Sequence, residues 1–430
     1  MSTIEAEYRR PEATPEALEV HREILPLATE LSVLNMEPSA GLDKYYGPGG
    51  VRKIPLVLFP PDMVPGVMIF NRDEGDQRVG SYKIHGAMAA LYQALREDPE
   101  LERVITYSAG NHALGVIAAA KAYNLPYKTL IKTFSNISPA KEEQILKLGG
   151  ELDKSYPDLE AARDAARAAS NEQPHTALIE PFDAAATMAG QSTMLSESIV
   201  VLFQAHEDGV IDIRHDPITF MVPAGGGGAA AGMASMLYEL KPRGVVGDNV
   251  KLKVVQMEGC DAIACAIDGR KLGELDTSCD GTAVREPGEK TMAIIKDRAF
   301  VEEVVVVPKA YVGKAMLLLE EQLGHPVEPA GALTLAAILY EQDQQTVEPP
   351  ARKPIYVNLT SGRNVSEETR TDFMETASKQ GLITFKDISG AYGKRREYGI
   401  DEVLSQRRSG VASAIGRATT RTVSGATAFL

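Results

Sequence analysis

Regular alternation of apolar strands with helices constrains this chain most, because neighbouring parallel strands need a crossover and a helix usually supplies it. From Arg103 to Pro181, RVITYS, YKTLIK and HTALIEPF have the apolar, β-branched character of strands. HALGVIAAAKAYN, SPAKEEQILKLGG and PDLEAARDAARAASNEQ read as helices. The second of these carries its own punctuation, with Ser138 as N-cap, Pro139 at the first helical position and Gly149–Gly150 at the end. The pattern then restarts. PITFMVPA is a strand, GGGG a turn, AAAGMASMLYELK a helix and VKLKVVQME a strand. VEEVVVV, the helices AYVGKAMLLLEEQLG and GALTLAAILYEQD, and the strand PIYVNLT follow.

Two such runs predict an α/β fold of two domains, with parallel sheets and helices on both faces. Residues 1–102 and 182–380 make the large domain, with 1–50 as an N-terminal extension. Residues 103–181 make the small α/β domain, and 381–430, where the periodicity fades, make a C-terminal tail. Gln204 to Pro217 reads as a surface insertion.

Charge narrows the partners. A formal net charge of −14 argues against nucleic acid or an anionic membrane surface. Three cysteines, Cys260, Cys265 and Cys279, make neither a disulfide scaffold nor a zinc site, which points to a reducing cytoplasm. The N-terminal MSTIEAEYRRPEATPE lacks the apolar run of a secretory signal, and no apolar stretch is long enough for a membrane span.

Four short segments carry chemistry. Gly225, Gly226, Gly227 and Gly228 lie between a strand and a helix. Successive backbone N–H groups there, with the positive helix end, form an anion site that suits phosphate. The same run also fits a dinucleotide fingerprint through Gly225, Gly227 and Ala230, with Glu258 closing the next strand, and alone it does not decide. SYKIHGA places Lys83 among small residues, and a buried lysine amine can bond covalently to an aldehyde cofactor. TYSAGNHALG turns from strand into helix and gathers Ser108, Gly110, Asn111 and His112 at a helix N-terminus, a good seat for carboxylate or phosphate. NLTSGRN places Ser361 at another strand end.

Taken together, in order and spacing over roughly residues 54–380, these segments resemble the fold-type II pyridoxal-phosphate family, and within it the threonine/serine dehydratases. EGDQRVGSYKIHGA resembles the lysine motif, YSAGNHALG the asparagine loop and VPAGGGG the phosphate loop, while DGTAV, VEPAGALTLAA and LTSGRN follow in the family's order. The resemblance implies that Lys83 carries pyridoxal 5′-phosphate as a Schiff base and takes the substrate's α-proton. It implies that Asn111 bonds the cofactor's phenolic oxygen, that Gly225 to Gly228 hold its phosphate and that Ser361 meets its pyridine nitrogen. Ser108, Gly110, Asn111 and His112 would receive the substrate carboxylate. A neutral hydroxyl at the ring nitrogen suits elimination from a modest carbanion.

The implied activity is a lyase that takes a small β-hydroxy or β-substituted amino acid, such as threonine or serine, to a 2-oxo acid and ammonia. The implied assembly is a homodimer or homotetramer. Some positions depart from the pattern. His85 stands where the family usually has Arg, as a packing change or as a mark of another substrate. Ala109 stands where racemases have a second, proton-transferring serine, which disfavours racemisation. Ala264 replaces the Asp of a divalent-metal site, so no metal is expected, and Ser192 replaces a usual Gly. About 50 residues after Gly381 are too few for a full regulatory domain. A β-replacement transferase is the alternative; those usually have Thr where this chain has His112. A nucleotide-binding oxidoreductase would leave SYKIHGA and LTSGRN unexplained, and an idle cofactor holder would have no use for Lys83.

Overall fold

The computed structural model describes residues 12–34, 40–108, 110–137, 139–344, 352–363, 365–383 and 396–398. Its strands are β1 (Leu56–Leu58), β2 (Met68–Asp73), β3 (Arg103–Tyr107), β4 (Thr129–Phe134), β5 (Glu151–Tyr156), β6 (Thr176–Leu178), β7 (Ile218–Pro223), β8 (Val250–Met257), β9 (Glu303–Val307), β10 (Ile355–Thr360) and β11 (Arg396–Tyr398). Its helices are α1 (Pro15–Leu31), α2 (Ala40–Tyr45), α3 (Lys83–Glu97), α4 (Asn111–Ala122), α5 (Pro139–Lys147), α6 (Leu159–Glu172), α7 (Ala185–Glu207), α8 (Gly228–Leu240), α9 (Ala262–Ile267), α10 (Glu289–Ile295), α11 (Lys309–Leu323), α12 (Pro329–Gln344) and α13 (Glu367–Lys379).

Two sheets organise these elements. The larger has the order β11-β1-β2-β10-β7-β8-β9 and the smaller β5-β4-β3-β6. The smaller sheet is parallel throughout. The larger is parallel from β2 to β9, while β1 runs antiparallel to both β2 and β11. The α/β class with parallel sheets therefore holds, with an antiparallel edge added.

Strand residues alternate between faces, so each sheet feeds two apolar layers. Ile355, Val357 and Leu359 join the core that contains α3, α7 and α8, whereas Tyr356 joins the one with α11 and α12. In the smaller sheet Val104 faces the main core and Ile105 and Tyr107 pack on Ala162 and Ala166 of α6. That helix starts where its sequence says it should, with Asp158 Oδ1 accepting from the Ala161 N–H at 2.8 Å.

Several elements escape a reading by period. Helix α7 has 23 residues and is buried over nearly its whole circumference, so it has no polar face to create a helical rhythm. Ser192, in its middle, donates to the Ala189 carbonyl at 2.7 Å and so is satisfied without leaving the helix. Strand β5 is the polar edge ELDKSY and lacks the apolar alternation of a strand. Helix α1, inside the expected N-terminal extension, buries Ala17, Val20, Ile24, Leu27, Ala28 and Leu31 in the main core. The Gln204–Pro217 stretch is not simply a surface insertion. Its first residues finish α7, and Ile211 and Ile213 are buried, which anchors the connection.

Ala109, Ser138 and Asn364 lie outside the described residues, as does most of the 381–430 tail; within that tail, 396–398 forms β11. Among the described residues, no helix is long and apolar enough to cross a membrane.

Candidate active site

The loops after β2, β3, β7 and β10 meet at the carboxyl ends of their strands, where ligands of open α/β sheets bind. They enclose a cavity of about 430 Å³ lined by Lys83, Ser108, Gly110, Asn111, His112, Gly225 to Gly228 and Ser361. All the candidate site residues named from sequence thus share one cavity wall. Glu258 does not; it is exposed beyond the end of β8, so the dinucleotide fingerprint loses its acid.

Lys83 opens α3. Its N–H is met by Ser81 Oγ at 3.3 Å, and its Nζ lies 3.5 Å from the Pro181 carbonyl oxygen and 5.1 Å over the Tyr82 ring. Helix α4 crosses close beside it, since a Cβ on Gly115 would stand 3.1 Å from the Lys83 carbonyl carbon. A Cβ there would be crowded, so glycine eases the approach that brings Asn111 and His112 to the lysine. Ser361 Oγ accepts from the Tyr82 N–H at 3.3 Å and lies 3.5 Å from Ser81 Oγ. A Cβ on Gly331, in the first turn of α12, would overlap the Ser361 carbonyl, so that helix start is pressed against the loop.

The four glycines join β7 to α8, with Gly227 at a φ of 95°. None of their amides donates to a protein acceptor among the described residues. The Gly226 carbonyl is fixed instead by Thr291 Oγ1 at 2.7 Å. Phe182 forms the floor: a Cβ on Gly226 would overlap its ring and one on Gly228 would meet its Cα at 2.8 Å. The segment 180–183 was legible only as a strand end, yet it also supplies Asp183, which caps α10 through the Glu289 and Thr291 N–H groups at 3.0 and 3.1 Å. We expect Gly226→Ala to weaken cofactor retention about tenfold or more, as ~1.4 kcal/mol of displacement would; equilibrium titration of the stripped protein measures it.

His112 is buried, and its Nε2 donates to the Ile179 carbonyl at 3.0 Å. Burial, with the Lys83 ammonium adding to it, pushes its pKa down to about 3, so the imidazole is neutral at physiological pH. Ser108 Oγ accepts from the Gly110 N–H at 3.1 Å and shapes the turn. Across the cavity, Asn111 Nδ2 donates to Glu328 Oε2 at 2.9 Å. Two ion pairs reach across the rim, Lys141 to Asp280 and Arg163 to Glu286 at 3.4 Å.

His85 faces away from this cavity. Its Nδ1 lies 2.8 Å from Thr193 Oγ1 and its Nε2 3.1 Å from Glu74 Oε2. Glu74 in turn accepts from Arg72 Nε at 2.6 Å, and Arg72 Nη2 reaches Glu197. All five side chains are buried. Of the two readings for His85, the geometry fits the packing change: it belongs to the charged floor beneath α3 and touches no cavity-lining side chain in these bonds.

A family model for pyridoxal-phosphate dependent enzymes matches residues 49–360. The chain belongs to that family. Its cofactor is pyridoxal 5′-phosphate (PLP), and the lined cavity fits it: unpaired glycine amides for phosphate, space only because positions 226 and 228 lack a Cβ, and a lysine amine at the wall. An L-threonine ammonia-lyase of Geobacter sulfurreducens is 31% identical over 284 residues, covering 64% of this chain and 63% of that one. A serine racemase of Oryza sativa subsp. indica is 29% identical over 288 residues, covering 66% and 78%. The chain thus spans less than two thirds of the ammonia-lyase it matches. The structure of a processed threonine deaminase isoform from Solanum lycopersicum superposes with a TM-score of 0.66 at 24% identity, covering 88% of this chain and 94% of that one, which places the fold.

Proposed function

We propose that this PLP-dependent enzyme is an ammonia-lyase that eliminates water, or a similar group, from a small β-hydroxy or β-substituted amino acid such as threonine or serine. The observation that carries the reading is the convergence of Lys83, Asn111, Gly225 to Gly228 and Ser361 on one cavity, beside the helix N-terminus formed by Ser108, Gly110 and His112. When bound, PLP withdraws electrons from the substrate Cα and so acidifies its proton.

The protein's residues would do the rest. The amides of Gly225 to Gly228, at the positive end of α8, hold phosphate. Asn111 Nδ2 donates to the cofactor's phenolic oxygen. Ser361 offers a neutral hydroxyl to the ring nitrogen, which a carboxylate would keep protonated. The amides at the start of α4 take the substrate carboxylate, and His112, neutral and tied to Ile179, holds that turn without adding charge. Lys83 Nζ would take the α-proton and pass it to the departing β-oxygen, which leaves as water as the β-carbon–oxygen bond breaks. The released enamine hydrolyses to a 2-oxo acid and ammonia.

The test is to supply threonine, serine and other β-substituted amino acids and measure 2-oxo acid and ammonia together. We expect stoichiometric release of both without any added nucleophile. Product formed only with an external thiol or other nucleophile would replace this reading with the β-replacement transferase. We further propose a homodimer or homotetramer in the cytoplasm, in keeping with three unpaired, buried cysteines.

A further inference from the structure

Glu328 is a buried carboxylate that the sequence motifs did not single out, although it stands in VEPAGALTLAA. It immediately precedes α12, at a helix start in the large lobe, and Asn111 opens α4 in the small lobe. Their bond, Nδ2 to Oε2 at 2.9 Å, joins residues 217 positions apart across the cavity that both line. The backbone that carries this carboxylate is fixed on both sides. Its own N–H donates to the Gly362 carbonyl at 3.0 Å, and the Gly331 and Ala332 N–H groups return to the Glu328 carbonyl at 2.9 and 3.1 Å. Gly362 has a φ of 84°, and a Cβ there would overlap the carboxylate. Glycine at 362 therefore serves both the backbone turn and the seat of Glu328.

An asparagine amide has two N–H donors on one nitrogen and can flip end for end. A carboxylate only accepts, so Glu328 admits one orientation, with Nδ2 toward it. The second Nδ2 hydrogen is then left for another acceptor in the cavity. We propose that Glu328 is a positioning residue: it fixes the Asn111 amide so that its remaining N–H meets the cofactor's ring oxygen, and it ties that contact to the approach of the two lobes. The inference rests on the reading of Asn111 as the partner of that oxygen.

The experiment compares Glu328→Ala, Glu328→Gln, Asn111→Ala and the double Ala variant as PLP-loaded proteins. The position and pH titration of the cofactor's visible band are read beside kcat and KM. A misdirected Asn111 moves the band and its titration in E328A and lowers kcat roughly 10- to 100-fold, with KM changed less than about threefold, in line with the cost of a small misplacement. E328Q restores the band only in part, because its Oε1 can accept from Nδ2 but its Nε2 can also face the Asn111 Oδ1 and admit the flipped amide. In the N111A background, E328A adds less than about twofold, since a residue acting through Asn111 has nothing left to act on. If E328A does not fold, Gly362→Ala displaces the same carboxylate from the other side and shifts the band in the same direction. A wild-type band and titration in E328A, or losses that multiply in the double variant, overturn the proposal. A wild type with no band after added PLP overturns the reading beneath it, which is a different result.

Discussion

Lys83→Ala is expected to lose the visible cofactor band and nearly all elimination activity. Removing the group that moves the α-proton alone costs roughly 10²–10⁴-fold, and the covalent anchor is lost as well. The structure says why no neighbour substitutes. Lys83 Nζ is held between the Tyr82 ring and the Pro181 carbonyl, while Lys141, also on the cavity wall, is engaged with Asp280 at the rim. His112 does not substitute as a base either, because its Nε2 is committed to the Ile179 carbonyl and burial disfavours the imidazolium that proton uptake would form. Absorbance and the 2-oxo acid assay measure the two losses. A K83A protein that keeps the band and a tenth of the activity would remove lysine from the mechanism.

Arg72→Met is expected to cost about 3–5 kcal/mol of stability at neutral pH, because it leaves Glu74 and Glu197 buried without their cation. Burial by itself would raise the Glu74 pKa, but Arg72 and then His85 outweigh it and hold it near 2. The sign follows from that depression. In the wild type, the contribution of Glu74 is complete above the unfolded carboxylate value of about 4.3 and is lost as pH falls toward 2. In the variant only His85 still opposes the burial penalty on Glu74 and acid relieves that penalty, so the gap between the two proteins narrows on acidification. Denaturant midpoints at pH 7 and pH 4 measure it. A gap below about 1 kcal/mol at pH 7, or one that widens in acid, would contradict this account of the floor beneath α3. Replacing Arg72, Glu74 and Glu197 together by apolar residues should be far milder than removing Arg72 alone.

Much of the site was legible because its parts stand where the backbone changes direction. Gly225 to Gly228 punctuate the β7–α8 turn, SAGNH the β3–α4 turn and TSG the end of β10, and each turn has a local signature. The α/β order was legible for the same reason: buried central strands such as ITFMVP are continuous apolar runs. What escaped lacks a local signature. Helix α7 is apolar all round and β5 is polar, so neither shows the expected period. Phe182 and Glu328 act across long separations in the chain, the one beneath Gly226 and the other on Asn111. His85 looked ambiguous beside Lys83 because sequence alone does not tell that the first turn of α3 points position 83 at the cavity and position 85 at Glu74 and Thr193.

The most direct test of the central claim is to load the protein with PLP, reduce it with borohydride, which fixes the cofactor to whichever lysine carries it, and map the modified peptide by mass spectrometry. One equivalent of cofactor is expected, on Lys83. Cofactor fixed to Lys132, Lys141 or any other lysine, or none retained at all, would contradict it.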